Sequence, residues 1–172
     1  MNEKNQWGLG LSKGIVLLVD HNPDWQQAFA EEDTRIRAAL GSLVMDVQHF
    51  GSTAIPAIRA KPILDVMLGI EDFDQGPQLA PALADIGYEY VANAGVPNHV
   101  FGKGQPRTHL LHVVAHDGAK WHRNIRFRDR LLADPALARE YEALKDRLAV
   151  EFADNRAAYT DAKQDFIDAA VA

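Results

Sequence analysis

The 172-residue chain is 47% apolar, enough for one proper core, and its net charge of −6 opposes bulk binding to a nucleic acid. It has no cysteine, which excludes disulfides, thiolate metal sites and a cysteine nucleophile. The opening residues carry no apolar signal core and the longest apolar run, Ile15–Val19, is too short for a bilayer, so a cytoplasmic protein with no membrane partner is expected.

Residues 1–13 read as a flexible lead-in, with Trp7 exposed or frayed, and 14–172 as a single domain. Ile15–Val19, rich in branched residues, reads as a buried strand. Asn22-Pro23-Asp24 starts a helix whose apolar positions Trp25, Phe29, Ile36 and Leu40 recur at helical spacing until Gly41 ends it. Val44–Phe50 reads as a strand broken by Gly51-Ser52, and Ile63–Ile70 as a second strand entered through Lys61-Pro62. Leu79, Leu83 and Ile86 mark a short helix closed by Gly87. Tyr88 to Val100 holds one or two strands, Gly102–Pro106 a turn, and His109–Ala115 another strand. From Trp121 onward the pattern is helical, with Asp134-Pro135 capping a helix through Leu137, Tyr141, Leu144, Leu148 and Phe152, and one more helix around Tyr159, Phe166 and Ile167. Strands in the middle with helices around them predict an α+β fold: a small mixed sheet flanked by helices, with a helical C-terminal part.

One constellation carries a chemical logic. Gly51 lets the backbone approach a phosphate closely, Ser52 can donate its hydroxyl to a phosphate oxygen, and Arg59 and Lys61 can neutralise further charge. Asp65, on the next strand, can hold the Mg²⁺ that accompanies a nucleotide. The competing reading is a common Gly-Ser turn beside a solvated aspartate.

The segment His49-Phe-Gly-Ser-Thr-Ala-Ile-Pro56, continuing to Ala60-Lys-Pro-Ile-Leu-Asp-Val66, resembles the hallmark of the GrpB (UPF0157-type) family. The resemblance extends through Asn22-Pro-Asp-Trp25, Arg107-Thr-His109, Leu111-His-Val113, Phe127-Arg-Asp129 and Tyr141 to Lys145, covering roughly Val16 to Ile167. It implies a nucleotidyltransferase-like fold. It also makes His49, Gly51, Ser52, Thr53, Arg59, Lys61 and Arg107 candidate contacts to a nucleotide or small phosphorylated ligand. Asp65 and His112 become the candidate catalytic residues, with Asp65 as the metal ligand. Transfer of a nucleotidyl group from a nucleoside triphosphate with Mg²⁺ would then be the activity.

Enzymes of that superfamily place two acids two residues apart, on one face of a strand, so that both carboxylates share metal ions. Here the second position is Met67, and a thioether is a poor ligand for a hard cation. The alternative is therefore a module that binds nucleotide or phosphate without chemistry. If Leu110–Val114 is extended, His112 faces the same way as Leu110 and Val114, on a strand expected to adjoin Asp65, while His109 falls on the opposite face or in the preceding turn. The family usually has an asparagine at Leu110. A zinc site from His109, His112, His116 and His122 is weighed and set aside, because strand spacing does not converge them. Arg126 or Arg128, from the basic run after Trp121, is the remaining candidate to reach the pocket.

Overall fold

The structure, a computed structural model, describes residues 6–93 and 98–172. Asn22 turns the chain into helix α1, Trp25–Leu40, by accepting the Asp24 amide on its side chain (2.9 Å) and the Trp25 amide on its carbonyl. Gly41, at φ 56°, ends that helix. Strand β1, Asp46–Phe50, pairs antiparallel with β2, Leu64–Ile70. A short helix α2, Ala80–Ala84, leads through Gly87 into the hairpin β3 (Tyr88–Asn93) and β4 (His99–Lys103). Strand β5, His109–Ala115, then runs parallel to β2, giving a five-stranded mixed sheet in the order β1-β2-β5-β4-β3.

The remaining chain is helical: α3 (Ala119–Ala133), α4 (Pro135–Glu151), α5 (Arg156–Asp161) and α6 (Gln164–Val171). Asp134 caps α4 by accepting the Ala136 and Leu137 amides, with Pro135 in the first turn. The single helix expected around Tyr159 to Ile167 is thus two short ones.

This is the α+β arrangement that the sequence predicts. Helices cover both faces of the sheet, so the central strands β2 and β5 are apolar in near-continuous runs rather than alternating. Leu64, Val66, Leu68, Leu111, Val113 and Phe101 face α1, packing with Trp25, Ile36 and Leu40. Met67 and Val114 face the other way, onto Trp121 of α3. Ile55 and Ile58, between β1 and β2, are buried against Leu131, Ala138 and Tyr141 of the C-terminal helices. No helix among the described residues is long and apolar enough to cross a membrane.

Two expectations at the N-terminus are corrected. Ile15–Val19 is not a strand: Val19 makes one isolated bridge to Ala60, Val16 is buried, and Ile15 and Leu17 are exposed. Branched residues favour extended backbone there, but no neighbouring strand offers a ladder. The lead-in is not loose over its described part either. Leu9 and Leu11 are buried, the Leu11 backbone bridges Arg107, and the Trp7 carbonyl accepts from both Asn22 Nδ2 and Trp25 Nε1 at 3.0 Å.

Two buried histidines set a pH dependence. Burial pushes His49 down to about 4, with Asp65 acting in the opposite sense, and burial pushes His109 down to about 4 against the pull of Glu32. Between 6.5 and about 4 the unfolded chain therefore binds protons that the folded chain refuses, so stability falls as pH drops through that window. Urea unfolding across this range should show the decline. A flat profile would contradict burial as its cause.

Candidate functional site

At the end of β1 the chain turns at Gly51, φ 71° and ψ −174°, a region open essentially to glycine alone. Ser52–Ala54 form one tight turn, and the chain returns into β2. The register sets Phe50 opposite Asp65, so the Gly51 turn lies on that carboxylate. A Cβ at position 51 would stand 2.7 Å from Asp65 Oδ2.

His112 reaches Asp65 from β5, its Nε2 3.3 Å from Oδ1, while Asn98 Nδ2 lies 3.2 Å from its Nδ1. The ring thus lies between Asn98 and the carboxylate, which accepts from the His112 Nε2–H. Phe50 meets the imidazole edge-on at 5.0 Å.

Above this pair is a cavity of about 270 Å³. Phe50, Gly51, Ser52, Asp65, Leu110 and His112 form its floor on the sheet, and α3 to α6 form its roof through Lys120, Arg123, Phe127, Tyr141, Tyr159 and Lys163. Thr53, Lys61 and Ile63 complete the side. The lining therefore carries one carboxylate against four cations: Lys61, Lys120, Arg123 and Lys163. Arg123 is paired with Asp168 of α6. Lys61 and Lys163 both lie over the Tyr159 ring, at 5.2 and 4.4 Å.

Crowding of ammonium groups in a half-buried space is visible in their acidity. Burial, then repulsion from Lys61 and Lys145, pushes Lys163 down to about 7, against the pull of Asp65. Lys61 is also pushed down, first by burial. Burial alone would raise Asp65, but the His112 hydrogen bond and the charges of His112, Lys61 and Lys163 outweigh it and hold the carboxyl below its usual value.

Gly51, Ser52, Thr53, Lys61, Asp65 and His112 are thus brought together, and three other candidates are not. Arg59 is ion-paired with Glu142 and Asp146 of α4 rather than lining the cavity, and Arg107 pairs with Glu89 (3.1 Å) beside Gly102. His49 stacks on Phe29 at 5.0 Å and contacts Thr53 Oγ1 at 2.9 Å, one layer behind the lining. The arginine expected from α3 is also corrected. Arg128 donates to Gln48 and to the His49 carbonyl, Arg126 to the Val171 carbonyl, and it is Arg123, one turn earlier, that reaches the cavity.

The lining does not suit Mg²⁺. That ion asks for oxygen ligands in octahedral array, and among the described residues Asp65 is the only carboxylate in the lining, with cations on either side. Met67 is fully buried and its sulfur accepts from Asn124 Nδ2 at 3.4 Å. Among the described residues no three His, Cys, Asp or Glu side chains converge on a common point.

A family model described as "GrpB protein" matches residues 15–172. The chain belongs to the GrpB family. A relative from Alkalihalophilus pseudofirmus, "Glutamate-rich protein GrpB", is 37% identical over 167 residues, 93% of this chain and 96% of the relative. "UPF0157 protein YqkA" of Bacillus subtilis is 30% identical over 92% of this chain, which spans 47% of YqkA. Among solved structures, the conserved protein GrpB from Enterococcus faecalis superposes with a TM-score of 0.81 at 31% identity, over 90% of this chain and 94% of that one. The overall fold is therefore shared with that protein at 31% identity.

Three site residues have no counterpart in the sequence reading: Lys145, Lys163 and Lys120. Lys145 had a signal. It lies four residues after Tyr141 and three before Leu148, on the apolar stripe of α4, where a lysine is out of place unless it has a buried partner.

Proposed function

We propose that this GrpB protein is a binding module that holds a small phosphorylated molecule, a nucleotide included, between the Gly51–Ser52 turn and α6 without a metal ion. The observation that carries this reading is the cluster of Lys61, Lys120 and Lys163 around one cavity, with Lys61 and Lys163 held below their ordinary basicity by burial first, then by repulsion from Arg156 on Lys61 and from Lys61 and Lys145 on Lys163. An anion there relieves the repulsion and restores the charged form of each amine. Ser52 supplies a hydroxyl donor, and Tyr159 and Phe127 supply apolar area for the rest of the ligand.

Nucleotidyl transfer, which the family resemblance suggests, needs metal-binding acids, and the cavity lining offers one. Incorporation of labelled nucleotide into any acceptor that depends on Asp65 would restore that activity.

Calorimetry with pyrophosphate and with a nucleoside triphosphate tests the binding reading. Affinity is expected in the presence of a chelator, with Lys61→Met and Lys163→Met each weakening it by about 10- to 100-fold. Binding above pH 7 should take up protons, seen as a heat that changes with the buffer's ionisation enthalpy, because the bound anion raises the Lys163 pKa from about 7. Affinity that appears only with Mg²⁺ would sink the proposal.

A further inference from the structure

Lys145 does not line the anion cavity. It is 1% exposed, too deep to meet a ligand, yet its Nζ lies 3.0 Å from Ser52 Oγ. It also donates to the Arg59 carbonyl, and it stands 5.1 Å from the centre of the Tyr141 ring. Two of the nearest charges, Glu142 and Asp146, are already engaged by Arg59. Burial dominates the amine, pushing it down to about 7; Glu142 and Asp146 oppose this, and Lys61 and Arg59 add to it. A neutral amine has two hydrogens and one lone pair. As an ammonium Nζ donates to both the Arg59 carbonyl and Ser52 Oγ; once neutral it keeps the Arg59 contact, and its lone pair can accept from the Ser52 hydroxyl.

Ser52 is placed to use that arrangement. It follows Gly51 on a turn whose backbone is fixed by φ 71°, it lines the cavity, and Lys145 approaches it from behind, out of the ligand's space. A hydroxyl held between a buried base and an open cavity is the geometry of an activated nucleophile.

We propose that Ser52 is a nucleophile toward carboxylic esters that carry a negative charge, with Lys145 as its proton acceptor. The inference rests on the binding reading for the substrate's charge, which Lys61 and Lys163 would hold, and not for the serine–lysine pair. Phe50, Leu110 and Phe127 give an acyl chain apolar space. In the first step a bond forms between Ser52 Oγ and the carbonyl carbon while the ester C–O bond breaks. The serine proton passes to Lys145 Nζ, while the departing alkoxide takes a proton from a water in the cavity. The hydroxide so formed attacks the acyl-serine, and Lys145 returns its proton to Ser52 Oγ as the acid is released.

Labelling of the full chain with an alkyl fluorophosphonate, which phosphonylates an activated serine as fluoride leaves, tests this directly. Peptide mass mapping is expected to find one adduct, on Ser52. Its rate should rise about tenfold per pH unit up to about 7 and then level, following Lys145. Ser52→Ala should abolish the adduct, and Lys145→Met should slow it by at least about 100-fold. An unmodified Ser52, or labelling of the wild type that ignores pH, overturns the proposal, and neither result needs a variant to fold. Pyrophosphate separates the two readings. An adduct that pyrophosphate does not slow keeps the serine–lysine pair and removes the anion site, whereas pyrophosphate binding with no adduct does the reverse.

Discussion

Replacing Glu32 by alanine is expected to destabilise the protein by about 3–5 kcal/mol, the largest loss from any single change considered. The Glu32 side chain is 1% exposed, on the face of α1 that packs against the sheet. Both of its oxygens accept from Lys103 Nζ of β4, at 2.9 and 3.0 Å, and Arg35 adds a contact at 3.3 Å. His109 Nε2 stands 3.9 Å away and Tyr88 lies beneath the lysine. Burial alone would raise the Glu32 carboxyl, but attraction to His109 and Lys103 outweighs it and holds the group below its ordinary value. Removing the acid leaves Lys103, only 20% exposed, with no counter-charge under the sheet. Glu32→Gln keeps the volume and should lose less, separating charge from packing. Urea midpoints measured with an unchanged slope would report the difference. A loss below about 1 kcal/mol would mean that Lys103 escapes to solvent and that the pair is dispensable.

Gly51→Ala should cost about 2–4 kcal/mol and remove ligand binding with it. Two causes add. The backbone at φ 71° and ψ −174° is strained for any residue with a Cβ, and that Cβ would lie 2.7 Å from the Asp65 carboxylate, itself held in place by His112. Gly41→Ala provides the internal comparison. It also has positive φ, 56°, but nothing stands within 4 Å of its added methyl. The excess loss at Gly51 over Gly41 therefore measures the clash with Asp65, and equal losses would assign everything to backbone strain.

Much of the fold was legible because its signals are local. The apolar runs around Asp65 and His112, the Asp134-Pro135 cap and the breaks at Gly41, Gly51 and Gly87 are each set by the preferences of residues close in sequence. The floor of the site was visible for the same reason, since Gly51, Ser52, Asp65 and His112 lie on adjoining strand ends. The roof was not. Lys163 sits between two short helices whose boundary has no strong stop signal, and its meeting with Lys61 depends on how the helical layer docks. Arg59 and Arg107 look alike in sequence, and only tertiary acceptors, Glu142 with Asp146 for one and Glu89 for the other, decide where each points. Glu32 and Lys145 are more instructive. Each interrupts an apolar helical stripe, between Phe29 and Ile36 in one case and between Tyr141 and Leu148 in the other. A charged residue in that position is a request for a buried partner, which the one-dimensional pattern cannot name. Ile15–Val19 errs the other way: branched residues favour extension, but a strand also needs a neighbour with free ladder positions.

The division of the cavity between sheet and helices has a consequence for biosynthesis. Every floor residue, from Phe50 to His112, precedes every roof residue, from Lys120 to Ile167, along the chain. On a ribosome the floor residues emerge first, before Lys120 of α3 and Lys163 at the start of α6. The residues that close the pocket are therefore made after those that form its floor, so in synthesis the sheet side of the cavity precedes its helical side.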